Sequence, residues 1–439
     1  MLRTHNCGEL RAEHAGKQVT LCGWVETHRI QGKLSFIILR DRHGITQVFV
    51  NPELTKQLGE INRESVVLIE GEVKKRPDNQ VKKDMATGEI ELGAKKIEMI
   101  SKSEVPLPID VVEESTTNID KRLDYRFLDV RRKKINAIFK IRSCVVGIST
   151  EFFVKEGFIS INTPKLTQAG VESGAEEFKF DYFGKKAALA QSPQVYKQMF
   201  VMSGLERVFE IAPIFRAEKS HTTRHLTEFV GLDFEMGFIK DEHDVMDVIE
   251  NYFKYLITKL KKQCIEELKL LGVELVVPGK IPRIDISDIR EIMKQKGKIV
   301  PPDEDLDAEG EKILGEYIKE KFGSEFVFAL NYPWAKRPFY HMKPEGKPND
   351  TKSFDLIYNG VEIATGAQRE HRLDVLEAQC KEKGISLDKL GFYRDIFRYG
   401  SIPHGGVGLG IDRIVEQMLK LGNIREAILL PRDPDRLTP

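Results

Sequence analysis

The sequence has little cysteine, no long hydrophobic run and no excess of charge of either sign. Its five cysteines are scattered and lack the paired spacing of a disulfide scaffold or a zinc site, so we interpret them as reduced thiols. No apolar stretch is long enough to span a bilayer, and Met1–Leu10 lack the basic-then-apolar pattern of a leader peptide. We therefore expect a cytoplasmic protein.

Length and charge set the scale of the chain. At 439 residues it is too long for one ordinary core, and with about 150 residues per domain we expect two or three domains. Lys plus Arg equals Asp plus Glu at 68 each. The net charge thus neither indicates nor excludes a nucleic-acid partner, which would bind a local patch.

The first hundred residues have the pattern of a small barrel. Short alternating strands are separated by turn residues, and Asn51–Arg63 favours a helix between the third and fourth strands. The predicted strands are Val19–Val25, Leu34–Arg40, Ile45–Val50, Ser65–Val73 and Ile90–Ile100. This pattern predicts an OB-type barrel over residues 1–105, followed by a proline-containing linker over residues 106–127.

Residues 128–439 predict an α+β domain. Apolar residues recur at helical spacing from Leu128 to Glu156, which indicates one long amphipathic helix in a core or at a subunit interface. Strands then alternate with helices, as around an antiparallel sheet. The predicted strands are Ala187–Ala190, Val208–Phe215, Glu228–Phe238, Phe326–Leu330, Ser353–Tyr358 and Val361–Thr365. Residues 260–322 look like a mostly helical insertion, and the sequence does not reveal its role.

One strand-loop-strand segment could hold an anionic, aromatic ligand. Arg216 and Glu218 follow one predicted strand, and Arg224, His225 and Phe229 lead into the next. Arginine offers a rigid fork of donors to phosphate or carboxylate oxygens, and an aromatic ring can stack on a base. Taken alone, these residues also fit a solvated hairpin.

A glycine-rich strand near the C-terminus leads into a helix that carries Arg413. Gly408 and Gly410 would let the backbone approach a flat ligand, and Arg413 could reach a triphosphate. The spacing matches neither the GxxxxGK[ST] loop of P-loop NTPases nor the GxGxxG turn of Rossmann domains. Neither of those two classes is supported.

Two carboxylates fall on a predicted hairpin. Asp355 and Glu362 lie on its facing strands, where their oxygens could hold Mg²⁺ while phosphates complete the coordination shell. Taken alone, the two carboxylates also fit an exposed acidic pair.

A second cationic pair could bind a small carboxylate. Ser192 and Pro193 predict the start of a helix, which places Gln194 and Lys197 on one helical face. A lysine on a helix is ordinarily solvated. If Lys197 instead points into a pocket with Arg369, the two cations form a binding site for a carboxylate.

In this order, the segments resemble the three motifs of class II aminoacyl-tRNA synthetases, and the resemblance covers almost the whole chain. The motif segments are Gly157–Pro164 after the long helix, Phe215–Glu218 and Gly408–Arg413. With an OB barrel in front, the chain is similar to the aspartyl, asparaginyl and lysyl subgroup. Three further segments, Gln191–Gln198, Gly366–Arg369 and Pro431–Asp433, resemble its aspartyl branch. The catalytic region is compact, as in archaeal and eukaryotic enzymes, whereas Asp84–Glu91 resembles the bacterial barrel.

The resemblance implies a homodimeric aspartate–tRNA ligase that uses ATP and Mg²⁺ to form aspartyl-adenylate from L-aspartate and then charges tRNA-Asp. Arg216 and Arg413 would be its catalytic residues. It implies ATP contacts for Arg216, Glu218, Arg224, His225, Phe229, Glu362, Gly408, Gly410 and Arg413. It implies aspartate contacts for Glu172, Ser192, Gln194, Lys197, Arg216, Asp233, Thr365 and Arg369. The implied Mg²⁺ ligands are Asp355, Glu362 and Thr365.

In the barrel, the resemblance implies recognition of anticodon bases by stacking and base-edge hydrogen bonds. The matching residues are Arg29, Phe36, Gln47, Gln80 and Glu91. Gln80 lies where bacterial enzymes often carry asparagine, and some compact members of the family also charge tRNA-Asn. Discrimination between tRNA-Asp and tRNA-Asn therefore stays open.

Two alternatives remain beside this hypothesis. An asparaginyl-tRNA synthetase is opposed by Lys197, because a neutral amide cannot offset the burial of an ammonium group. A synthetase-like RNA-binding protein without catalysis is opposed by the presence together of Arg216, Asp355, Glu362 and Arg413.

Overall fold

The computed structural model describes residues 1–170, 176–219, 222–386 and 391–439. The chain divides into two compact units, Met1–Pro108 and Ile109–Pro439. Among the described residues, no helix combines the length and the apolar character needed to cross a membrane.

The N-terminal unit is a closed five-stranded barrel, as the alternation of the sequence predicts. Its strands are β1 (Gln18–Gln31), β2 (Leu34–Asp41), β3 (Gly44–Val50), β4 (Val66–Lys75) and β5 (Ile90–Ser101), joined in the order β1-β2-β3-β5-β4. Helix α1 (Pro52–Leu58) lies between β3 and β4; the Asn51 side chain caps it by accepting from the Leu54 backbone N–H. Inward-facing residues such as Val19, Leu21 and Val25 alternate along β1 and form the core.

The larger unit is built on an eight-stranded mixed sheet with the order β12-β13-β14-β15-β16-β11-β10-β6. Its strands are β6 (Ile159–Ser160), β10 (Arg207–Phe215), β11 (Glu228–Gly237), β12 (Arg283–Asp285), β13 (Phe326–Leu330), β14 (Ser353–Tyr358), β15 (Val361–Arg369) and β16 (His404–Gly410). Neighbours are antiparallel except at the two edges, where β6 and β12 pair in parallel. A separate three-stranded sheet contains β7 (Leu166–Gln168), β9 (Lys185–Leu189) and β8 (Lys179–Tyr182).

Helices cover this sheet. They are α2 (Ile119–Asp124), α3 (Arg126–Asp129), α4 (Lys133–Lys155), α5 (Gln194–Phe200), α6 (Glu242–Gln263), α7 (Ile265–Leu271), α8 (Ile286–Gln295), α9 (Ala308–Phe322), α10 (Leu373–Glu382), α11 (Gly391–Arg398) and α12 (Ile411–Leu419). The apolar faces of α4, α6 and α12 form one continuous core with β11 and β16. This packing fixes the central strands, from which the functional side chains project.

Two elements differ from the sequence-based expectation. The long helix begins at Lys133 and not at Leu128, because the short helices α2 and α3 precede it. Residues 260–322 contain α7, α8 and α9, but also strand β12, which joins the main sheet beside β13. A three-residue strand is too short to give a clear period-2 signal in the sequence.

Candidate functional site

A cavity of about 350 Å³ lies over the central strands β15, β16 and β11. Its polar lining falls into two groups, one around Lys197 and Arg369 and one around Arg216 and Arg413. The cavity brings together Glu218, Arg224, His225, Phe229, Glu362, Gly408, Gly410, Ser192, Gln194, Asp233 and Thr365 with those four residues. Of the other two predicted residues, Asp355 does not line it, and Glu172 lies outside the described residues.

Lys197 points inward from α5, with only 2% of its side chain exposed. Its Nζ donates to Oδ1 of Asp233 at 2.9 Å and to the Val407 carbonyl at 3.1 Å, and lies 3.4 Å from Oε2 of Glu235. A buried ammonium requires such partners, since an unpaired charge in the interior is strongly unfavourable. The solvated alternative for this lysine does not apply.

Arg369 lies at the end of β15 and is held from several sides. Its Nε donates to Oε1 of Glu235 at 2.9 Å, and Nη2 donates to Oε1 of Gln194 at 3.2 Å and to the Gly406 carbonyl at 3.0 Å. Nη1 lies 2.9 Å from Nε2 of His341. Because arginine can only donate, Nε2 of His341 is the acceptor and its proton sits on Nδ1.

Sequence reasoning missed Glu235 and His341. Burial disfavours the Glu235 carboxylate, but Arg369 and Lys197 outweigh burial and hold its pKa below the usual value. Burial, reinforced by the charge of Arg369, holds the pKa of His341 well below its usual value, so the imidazole is neutral. Glu235 could have been found, since residues 233 and 235 share one face of a strand; His341 follows β13 in a loop and carries no such signal.

Glycines allow the strands to approach these charges. A Cβ on Gly406 would lie 2.2 Å from Oε2 of Glu235, and a Cβ on Gly408 would lie 3.1 Å from Oδ1 of Asp233. The glycine-rich strand is thus required here by close packing against carboxylates as well as by an open face toward the cavity.

At the other end of the cavity, Arg216 and Phe229 lie together. The guanidinium carbon of Arg216 is 5.4 Å from the centre of the Phe229 ring. Glu218 lies between Arg216 and His225, 3.9 Å from Nη1 of Arg216 and 4.0 Å from Nε2 of His225. Burial, followed by the charge of Arg413, lowers the pKa of His225 below its usual value.

Arg413 and Glu362 define the outer part of this end. Nη1 of Arg413 donates to the Glu362 carbonyl at 3.0 Å, and the Thr365 hydroxyl donates to Oε1 of Glu362 at 3.0 Å. Burial and the charge of Asp355 raise the pKa of Glu362. A carboxylate and a hydroxyl in a place that disfavours negative charge suit a hard cation such as Mg²⁺.

Asp355 is engaged differently. Both of its oxygens accept from Arg337, at 3.0 and 2.7 Å, and both side chains are 6% exposed. Direct coordination of a metal by Asp355 would require this bidentate pair to open. Among the described residues, no three acidic, histidine or cysteine side chains converge into a ready metal site.

Arg224 has a partner that the sequence did not suggest. Its Nη1 lies 3.3 Å from Oε2 of Glu311, which projects from α9 and also accepts from the Glu362 backbone N–H at 3.0 Å. Burial raises the pKa of Glu311 to about 7. A glutamate in the first turn of a helix is ordinary, which is why no sequence signal marked it.

In the barrel, four of the five predicted residues form two neighbouring pairs of side chains. Arg29 and Phe36 are cross-strand neighbours on β1 and β2, while Gln47 on β3 donates to Oε2 of Glu91 on β5 at 3.3 Å. Gln80 ends a short 3₁₀ turn, Asp78–Gln80.

Arg76 was missed in this unit. It is 4% exposed, and its three guanidinium nitrogens have no hydrogen-bond partner among the described residues. Glu91 and Asp84 are the charges that act on it.

Comparison with known proteins identifies the family. Residues 118–434 match the family of tRNA synthetases class II (D, K and N), and residues 19–100 match the OB-fold nucleic acid binding domain. The chain is 46% identical over 445 residues to an aspartate–tRNA(Asp) ligase of Pyrococcus abyssi, with 100% of both chains covered. It is 44% identical to an aspartate–tRNA(Asp/Asn) ligase of Aeropyrum pernix, over 97% of this chain and 96% of that one. The solved asparaginyl-tRNA synthetase of Pyrococcus horikoshii matches at 34% identity with a TM-score of 0.92, over 100% of both chains. The chain belongs to the class II tRNA synthetases of the aspartyl, lysyl and asparaginyl group and is an aminoacyl-tRNA ligase.

Proposed function

We propose that the protein joins L-aspartate to tRNA in two steps, through an aspartyl-adenylate made from ATP. It would act in the cytoplasm as a homodimer. The observation that carries the choice of aspartate is the balance of buried charge around Lys197 and Arg369, because the fold itself is shared with an asparaginyl enzyme.

Charge bookkeeping favours an acidic amino acid. The inner end of the cavity holds two cations, Lys197 and Arg369, and two carboxylates, Asp233 and Glu235. If Asp233 binds the substrate ammonium group, the two cations face only Glu235, and one positive charge remains for the substrate side chain. A β-carboxylate neutralises that charge, whereas an asparagine amide leaves it buried and unbalanced.

The other end of the cavity suits ATP. We place adenine against Phe229, with Glu218 beside its edge, and the phosphates toward Arg216 and Arg413. The aspartate α-carboxylate attacks the α-phosphorus, a P–O bond to the β-phosphate breaks, and pyrophosphate leaves. No side chain has to act as nucleophile in this reaction, so positioning and stabilisation of the developing phosphate charge by Arg216 account for the acceleration.

We propose that Glu362 and Thr365 hold Mg²⁺ through their oxygens, with Asp355 contributing its charge from behind. When bound, the ion would neutralise phosphate charge and orient the triphosphate. The raised pKa of Glu362 supports this assignment, because a nearby cation would stabilise the carboxylate.

The barrel would bind the anticodon. Arg29 and Phe36 offer a cation and an aromatic ring for stacking, and Gln47 and Glu91 offer amide and carboxylate groups to base edges. Arg76 adds a buried guanidinium without a hydrogen-bond partner among the described residues, which is unfavourable unless a ligand supplies one.

The decisive experiment is aminoacylation of purified tRNA-Asp and tRNA-Asn with labelled aspartate or asparagine, in the presence of ATP and Mg²⁺. Aspartate on tRNA-Asp is the expected result. Attachment of asparagine in place of aspartate would refute the argument from buried charge. Failure to charge either tRNA would refute the proposed ligase activity. Aspartate on both tRNAs would extend the proposal to tRNA-Asn, the specificity named for the Aeropyrum pernix relative.

A further inference from the structure

Helix α9 brings a carboxylate into contact with two residues that line the cavity, Arg224 and Glu362. Glu311 is 13% exposed, and its Oε2 joins two groups of the site, Nη1 of Arg224 at 3.3 Å and the backbone N–H of Glu362 at 3.0 Å. Arg224 is 29% exposed and lines the cavity. Segment 260–322, whose role the sequence does not reveal, therefore contacts two residues of the candidate ATP site.

The position of Glu311 is fixed by how α9 packs. A Cβ on Gly315 would lie 2.6 Å from the backbone nitrogen of Gly360, and a Cβ on Gly360 would lie 2.9 Å from the Cα of Lys312. Helix α9 thus rests directly on the turn between β14 and β15. Asp307 also caps the helix, accepting from the Gly310 backbone N–H at 2.8 Å. This contact restrains the backbone of α9 at Glu311.

We propose that Glu311 competes with the terminal phosphates of ATP for Arg224, holding the guanidinium in the free enzyme and releasing it when ATP binds. The inference rests on the proposed function, since it takes ATP as the ligand of this cavity. Glu311 is here a positioning residue: it acts on ATP through Arg224.

The surrounding charges make this exchange feasible. The groups acting on Glu311 are Glu362 on β15, Arg413 on α12 and Arg224 itself. Burial raises the pKa of Glu311 to about 7; the Glu362 backbone N–H and the two arginines oppose this rise, and the Glu362 carboxylate adds to it. Once Arg224 moves to a phosphate, the Glu311 carboxylate keeps the Glu362 backbone N–H as a hydrogen-bond donor.

The test is the dissociation constant of ATP with Mg²⁺ and without aspartate, measured by calorimetry for the wild type and Glu311→Gln. Glutamine keeps an oxygen for the Glu362 N–H but removes the charge. We expect Glu311→Gln to bind ATP about fivefold more tightly, the scale of one partly exposed ion pair. Glu309→Gln is the matched control, because Glu309 lies on the same helix and pairs only with Lys298 among the described residues; it should bind ATP like the wild type.

An Arg224→Gln background separates competition from direct repulsion. Without Arg224, Glu311→Gln should bring no further gain in ATP affinity. An equal gain without Arg224, or unchanged or weaker ATP binding in Glu311→Gln, would overturn the inference while leaving the proposed function in place. Absence of ATP binding by the wild type would reject both.

Discussion

At the scale of single residues, one carboxylate in the site pairs with two buried cations. Glu235 lies within ion-pair distance of both Lys197 and Arg369, so each cation is satisfied before any substrate arrives. His341 also holds Arg369, but as a neutral acceptor it fixes the guanidinium without reducing the positive charge. His341 thus helps to hold the Arg369 side chain in position, whereas Glu235 balances its charge.

Lys197→Leu should lose aspartate activation and keep ATP binding. The substitution removes the charge proposed to meet the β-carboxylate and leaves Asp233 and Glu235 with one cation fewer. Breaking a buried pair costs about 3–5 kcal/mol, so kcat/KM for aspartate should fall at least about 100-fold. ATP–pyrophosphate exchange measures this kcat/KM, and the melting temperature checks that the variant is folded. Equal aspartate activation by the wild type and the variant would rule out this role of Lys197.

His341→Phe should raise KM for aspartate about 10- to 100-fold, since a hydrogen bond to a charged group contributes about 1.5–3 kcal/mol. KM for ATP should stay near the wild-type value, because the imidazole contacts Arg369 at the far end of the cavity. His341→Gln, which retains a neutral acceptor, should recover part of the loss. If both variants raise KM equally, the hydrogen bond to Arg369 is not the reason.

At the scale of elements, an ion cluster joins the start of the larger unit to its C-terminal part. Asp129 on α3 is fully buried and receives Arg122 at 2.9 Å, Arg126 at 2.6 Å and Arg132 at 3.1 Å. Arg122 and Arg126 also reach Glu426, at 2.7 and 3.4 Å, in the 3₁₀ turn after α12. Burial opposes the charge on Asp129, but Arg122 and Arg126 outweigh it and lower its pKa.

Asp129→Asn should destabilise the larger unit by about 3–5 kcal/mol, because the buried Arg126 and Arg132 and the half-buried Arg122 lose the charge of their common partner. The sign with pH follows from the lowered pKa: the Asp129 charge stabilises the folded state fully above its ordinary value of 3.8 and loses this effect as pH falls through the lower folded value. Denaturant unfolding should therefore show a difference in the free energy of unfolding between the wild type and Asp129→Asn. This difference should be constant near neutral pH and become smaller below about pH 4. A difference that widens on acidification would contradict this account.

At the scale of the whole molecule, the larger unit exposes apolar side chains beside the edge of its sheet. Ile159 is 44% exposed on the edge strand β6, and Val154 at the end of α4 is 56% exposed. Open edges and apolar patches of this kind are ordinarily covered by another surface. We take a second copy of the chain as that surface, in line with the proposed homodimer.

Sedimentation should therefore give twice the chain mass of 50.2 kDa, and Ile159→Lys should shift the equilibrium toward one chain, because a buried lysine without a partner opposes association. Ile299→Lys is the control: Ile299 is 86% exposed between α8 and α9 and should leave the mass unchanged. A wild type that sediments as a single chain would rule out the homodimer.

The sequence by itself predicted the barrel strands, several strands of the main sheet and many of the residues that line the cavity. Period-2 alternation gave the five barrel strands, because each strand buries one face, and the strands at Phe326–Leu330 and Ser353–Tyr358 agree with the prediction residue for residue. Lys197 and Arg369, predicted as a conditional pair, do line one cavity. Local pattern suffices where the residue type and its spacing already restrict the chemistry.

Only the tertiary structure determined which carboxylate pairs with which arginine. Arg369 and Glu235 are 134 residues apart, and Arg224 and Glu311 are 87 apart. Such pairs form where separate strands and helices meet, and no local pattern encodes which of many carboxylates lies nearest a given arginine. The same holds for Asp355, whose place on a hairpin was predicted but whose partner Arg337 was not. Charge partners depend on packing over distances of a few ångströms, and packing is a property of the whole fold.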